Sequence, residues 1–124
     1  MTLATMSFGN EPLIDRQVHS YLSDLLGPSD YRDLLRGAVA RLIDASEYLQ
    51  RIPGETELGA LAHGIKGSLG SMGLVRLALV ATQIEGRCRQ GKGDTQDSPL
   101  FREVIAQTQR ALENLLEISI PLRP

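Results

Sequence analysis

Apolar residues return every three or four positions along most of the chain and rarely alternate in the strand manner. The pattern predicts five helices. The first starts near Pro12 and runs to Leu26, with Ile14, Val18, Tyr21, Leu22 and Leu25 as its apolar stripe. Gly27-Pro28 stops it, and Ser29 or Asp30 is placed to cap the second. The second carries Tyr31, Leu34, Leu35, Ala38, Leu42, Ala45 and Leu49 as far as the break at Ile52-Pro53-Gly54. The third begins near Glu55 and shows Leu58, Leu61, Ala62, Ile65, Leu69 and Met72, with Gly70 to Gly73 as the turn. Leu74, Leu77, Ala78, Ala81, Ile84 and Cys88 share one face of the fourth, which ends in a loop at Gly91-Lys92-Gly93-Asp94. Ser98 followed by Pro99 reads as an N-cap with Pro at the first helical position. The fifth helix carries Phe101, Val104, Ile105, Thr108, Ala111, Leu112 and Leu115 and fades at Ser119.

Helices of about 15–22 residues joined by short loops pack as antiparallel neighbours. The expected fold is therefore all-α: an antiparallel up-down-up-down four-helix bundle with a short extra N-terminal helix across or beside one end. One domain is expected over 12–118, with a flexible N-terminal tail at 1–11 and a C-terminal tail at 119–124.

Composition narrows the function classes. The chain has 124 residues, 42% of them hydrophobic, which is too apolar for intrinsic disorder. A net charge of −2 gives no cationic excess for nucleic acid, and no apolar run approaches the roughly 18 residues of a membrane helix. The single cysteine, Cys88, excludes an internal disulfide and a Cys-cluster metal site, and it falls on the apolar face of the fourth helix as inert core. Residues 1–10 lack both Lys and Arg and an apolar h-region, unlike a signal peptide. These features lead us to expect a soluble cytoplasmic monomer that binds neither nucleic acid nor membrane.

The third helix departs from plain core logic. Gly59, Gly64, Gly67, Gly70 and Gly73 crowd into it, although an interior Gly costs a helix about 0.5–1 kcal/mol relative to Ala. At about 100° per residue, with His63 at zero, Gly59 falls at about −40°, Gly67 at about +40° and Gly70 at about −20°. Leu61, Ile65 and Met72 lie within about 20° of the opposite direction. His63 is thus expected to face solvent from a bare strip that another protein's backbone can approach, and Gly59, Gly64, Gly67 and Gly70 are its expected close-approach residues. Lys66, three residues on, can bring its ammonium to the space over the ring. Neutral imidazole is a nucleophile at cellular pH. A flexible cation beside it suits a transferred anionic group such as phosphoryl.

Leu61-Ala62-His63-Gly64-Ile65-Lys66-Gly67-Ser68-Leu69-Gly70-Ser71-Met72-Gly73-Leu74 resembles the histidine phosphotransfer (HPt) domain signature. That signature reads Ala-His-x-Leu-Lys-Gly-[Ser/Ala], a small-residue stretch and a Gly, with a Leu-Glu pair about 22 residues after the His; Ile84-Glu85 stands at that place. The stretch is similar to the HPt domains of hybrid sensor kinases, including the anaerobic-response kinase. Gly64 replaces the usual polar residue, and Leu69 stands where a small one is common. The resemblance implies a phosphocarrier rather than an autonomous enzyme. His63 would accept a phosphoryl group from the aspartyl phosphate of one receiver domain and pass it to another. Lys66 would be the phosphate-side cation, and Mg²⁺ would belong to the receiver partner, leaving this chain without a cofactor or metal.

Glu85 lies about as far past the helix turn as His63 lies before it, so the two stand level in an antiparallel hairpin. It can orient Lys66 or the imidazole, or serve as a rim residue. Asp15 and His19, four apart in the first helix, lack further metal ligands. Arg32, Asp33, Arg36, Arg41 and Asp44 read as a solvated face. A histidine-kinase dimerisation bundle fits less well, because Gly64 and not an acidic residue follows His63 and no Pro stands nearby. A module that docks on receivers without carrying phosphate is the alternative reading.

Overall fold

The computed structural model describes residues 13–51, 54–93 and 97–119. The expected tail at 1–11 and all but Ser119 of the expected tail at 119–124, together with Pro12, Ile52, Pro53 and Asp94, lie outside the described residues, and Ser119 closes the last helix. The described chain forms five helices: α1 (Arg16–Leu26), α2 (Pro28–Leu49), α3 (Glu55–Leu69), α4 (Val75–Arg89) and α5 (Asp97–Ser119). No helix among the described residues is long and apolar enough to cross a membrane.

Each of the four longer helices turns its leucine-rich face inward. Leu35, Leu42, Leu77, Val80, Ile84, Phe101, Ile105 and Leu112 are almost completely buried. Side chains of this size each stabilise the fold by about 1.5–3 kcal/mol on leaving water. Helix α2 packs along α5, α3 along α4, and α4 and α2 touch α5 and α3 respectively, so the four enclose one core. Buried Thr108 satisfies its hydroxyl on the Val104 carbonyl at 2.8 Å.

Helices α3 and α4 form an antiparallel hairpin. Contacts across it step down one helix as they step up the other: His63 meets Glu85, Gly59 meets Cys88, and Glu55 accepts from the Gly93 N–H at 2.8 Å. A short 3-10 turn, Gly70–Met72, and Gly73 in the left-handed region (φ 65°) reverse the chain. A Cβ at Gly73 would meet Val18 Cβ at 2.9 Å, so conformation and close packing both demand glycine there.

Helix α1 differs most from expectation. Tyr21 and Leu25, placed in its apolar stripe, are strongly exposed, whereas His19 is buried. The inward stripe is rotated to Asp15, Val18, His19 and Leu22. Asp15 is the N-cap: its carboxylate accepts from Gln17 N–H and Val18 N–H, and its own N–H donates to Gly73 O at 2.7 Å. His19 Nε2 donates to the Met72 carbonyl at 2.6 Å, which requires Nδ1 to accept from the Tyr31 hydroxyl at 2.7 Å in the neutral ring. Asp15 and His19 therefore clamp α1 to α2 and to the hairpin turn. Burial pushes the His19 pKa down, against smaller opposing effects of Met72 and Asp15.

Three helix starts also differ. Helix α1 begins at Arg16 and not near Pro12, because the Asp15 cap fixes its first turn. Helix α2 begins at Pro28 with Gly27 as its cap, not at Ser29 or Asp30, because Gly27 at φ 82° closes α1 on Ser23 O and opens α2 by accepting from Tyr31 N–H. Helix α5 begins at Asp97, ahead of the expected Ser98 cap. The Asp97 carboxylate is fully buried and accepts from Arg87 Nε at 3.0 Å, which draws the first turn onto α4.

Candidate functional site

His63 stands on the outer face of α3, in its next-to-last turns, with its side chain 75% exposed. The open strip around it is real for three of the four glycines. Gly64, Gly67 and Gly70 have nothing within 4 Å of where a Cβ would stand. Gly59 is different: a Cβ there would lie 3.0 Å from Cys88 Cβ, so this glycine lets α4 approach α3 and is a packing residue. The helical angle that put it beside His63 was sound, but α4 covers that flank. Grooves open on both sides of His63. One is lined by Thr56, Gly59, Ala60, Cys88 and Arg89, the other by Tyr48, Leu61, Gly64, Ile65 and Ser68.

Glu85 joins this site from α4. Its side chain is only 10% exposed. Oε2 accepts from His63 Nδ1, and Oε1 accepts from Lys66 Nζ at 2.7 Å. These hydrogen bonds, that from Lys66 first and that from His63 second, hold the Glu85 carboxyl below its ordinary value. It is ionised at neutral pH and can only accept, so Nδ1 of His63 carries a proton. In the neutral ring the other nitrogen, Nε2, then holds the lone pair that can meet an electrophile.

Lys66 is not over the ring, where its spacing from His63 would let it reach. Its ammonium is tied to Glu85, which gathers both residues. Arg89 was not singled out in the sequence. It lies one turn past Glu85 on α4, with Nη2 3.6 Å from Glu85 Oε2 and a side chain 73% exposed. The signal was there: at i+4 from Glu85 on a helix, Arg89 shares its face. Cys88 is half-buried against Gly59, and burial pushes its thiol pKa up, as befits an unreactive packing residue.

Asp15 and His19 face the hairpin turn instead of forming a ligand pair. Among the described residues, no group of three or more His, Cys, Asp or Glu is placed to hold a metal ion.

A family model described as Hpt domain matches residues 29–118. The match takes in α2 to α5 almost whole and leaves α1 outside it. No curated protein and no solved structure matches the chain.

Proposed function

The chain belongs to the Hpt domain family, whose members are phosphocarrier modules of two-component phosphorelays, and on that footing we propose that it carries a phosphoryl group on Nε2 of His63. The group arrives from the aspartyl phosphate of one receiver domain and leaves for the aspartate of another. The observation that carries this reading is the pairing of an exposed His63 ring with a nearly buried, ionised Glu85. Glu85 fixes the proton on Nδ1 and points Nε2 outward, so the nucleophile is oriented before a partner arrives.

The remaining roles follow from position. Gly67 and Gly70, with no side chain to obstruct, admit the receiver's active-site loops, and Gly64 widens the approach. Lys66 holds the Glu85 carboxylate in place. In this reading α2 to α5 are the up-down-up-down bundle of the family, α1 is an added helix, and the protein works as a cytoplasmic monomer. The receiver partner supplies Mg²⁺ and the acidic pocket, and this chain contributes a positioned nucleophile.

A pairwise phosphotransfer profile against phosphorylated receiver domains tests the proposal. Transfer to this chain should give an acid-labile, base-stable label that one or more further receivers remove. A chain that binds receivers yet acquires no such label is the docking module instead.

A further inference from the structure

Two cations flank His63, and the structure gives them unequal freedom. Lys66 donates to Glu85 Oε1 at 2.7 Å and is 38% exposed. Arg89 approaches Glu85 Oε2 only to 3.6 Å, beyond hydrogen-bond distance. It reaches from the opposite helix into the groove beside His63. One cation is committed to the carboxylate, and the other is close to it and loosely held.

We propose that Arg89, and not Lys66, grips the phosphoryl oxygens once His63 is loaded, while Lys66 stays on Glu85 as a positioning residue. The inference rests on the reading of His63 as the phosphoacceptor. In the transfer, the Nε2 lone pair forms the new P–N bond. The P–O bond to the receiver's aspartate breaks, and the carboxylate leaves with the electron pair. The Nδ1 proton stays on the ring, shared with Glu85.

Charge then decides what the site needs. The loaded ring is positive and faces the negative Glu85, so these two balance. The phosphoryl group brings two negative charges, which Lys66 and Arg89 together offset. Without Arg89, one negative charge is left uncompensated. Moving Lys66 to the phosphoryl group would strip a nearly buried carboxylate of its 2.7 Å partner, a costly exchange. Moving Arg89 breaks only a loose contact whose cationic end is exposed, which is worth little. Its planar fork also matches two phosphoryl oxygens at once.

The test loads the whole chain with phosphoramidate, a small phosphodonor that needs no receiver, and follows the phosphohistidine by ³¹P NMR. Wild type, Arg89→Ala, Arg89→Lys and Lys66→Ala are compared. Arg89→Ala should raise the phosphoryl group's second pKa by roughly half to one unit. It should also shift the equilibrium with a receiver's aspartyl phosphate away from His63 by roughly three- to tenfold. Arg89→Lys should restore most of both. Lys66→Ala should move the phosphoryl titration clearly less than Arg89→Ala does and should disturb the ring's ¹⁵N tautomer signature. A titration that moves with Lys66→Ala and ignores Arg89→Ala overturns this inference alone, with His63 still labelled. Absence of label on wild-type His63 from both phosphoramidate and phosphorylated receivers overturns the phosphoacceptor reading and this inference with it.

Discussion

Glu85 and His63 stand 22 residues apart in sequence and face each other across the α3–α4 hairpin, the carboxylate accepting from Nδ1 of the ring. Its other oxygen is held by Lys66. In the proposed function this relationship orients a surface histidine as the nucleophile and makes Glu85 a positioning residue with separable effects. Glu85→Ala should release both partners and slow phosphotransfer by roughly tenfold or more, with receiver affinity little changed. Glu85→Gln, whose carbonyl still accepts from Nδ1, should lose less. Single-turnover transfer at saturating receiver checks this; equal losses in the two variants would reassign Glu85 to charge rather than tautomer control.

Glu85 also predicts an acid dependence of stability. Its folded pKa lies below the ordinary 4.5, so the folded chain binds fewer protons there than the unfolded chain. The stabilisation is therefore complete above about pH 4.5 and is lost as pH falls through the depressed value. Urea midpoints between pH 7 and 3 should show this component in wild type and lack it in Glu85→Gln.

His19 titrates in a different window. Its folded pKa lies below 6.5, so its contribution is present above pH 6.5 and fades as pH drops through the lowered value. His19→Ala should cost about 2–4 kcal/mol at pH 7.5, since it strands the Met72 carbonyl and the buried Tyr31 hydroxyl. The same variant should flatten the stability profile just below pH 6.5. Labelling per folded molecule should match wild type, because the clamp holds α1 and does not touch His63.

Gly59 and Gly67 should part company on substitution. Gly67→Ala should be neutral or stabilising by about 0.5–1 kcal/mol, and Gly67→Leu should fold yet block receivers, with little effect on phosphoramidate labelling. Gly59→Leu should destabilise by about 1–3 kcal/mol through collision with Cys88 on α4. Melting temperature and transfer rate on the same set separate the two behaviours.

Much of this was legible in the sequence because helices α2 to α5 are long and strongly patterned. Leu35, Leu42, Leu77 and Ile84 occupy the core that their spacing assigns. The level placement of His63 and Glu85 followed from counting turns on either side of Gly70 to Gly73. A helical wheel gives a direction but not the neighbour that fills it, so Gly59 was assigned to the open strip while α4 covers it. Helix α1 is short, and its pattern allowed two inward faces; the hydrogen bonds of His19 and Asp15 to residues from Tyr31 to Gly73 chose the less apolar one. Such long-range polar contacts leave no periodic trace. Arg89 leaves no distinctive mark in the sequence for a related reason, since one charge on an exposed face looks like any other without Glu85 beneath it.

The most direct measurement is the atom that carries the phosphorus. The chain, ¹⁵N-labelled on histidine, is loaded from a phosphorylated receiver and its ³¹P–¹⁵N couplings are read. The account predicts a single phosphohistidine, bonded through Nε2 of His63, absent from His63→Gln although that variant folds within about 0.5 kcal/mol of wild type. Phosphorus on Nδ1, on His19 or on no histidine at all would contradict it.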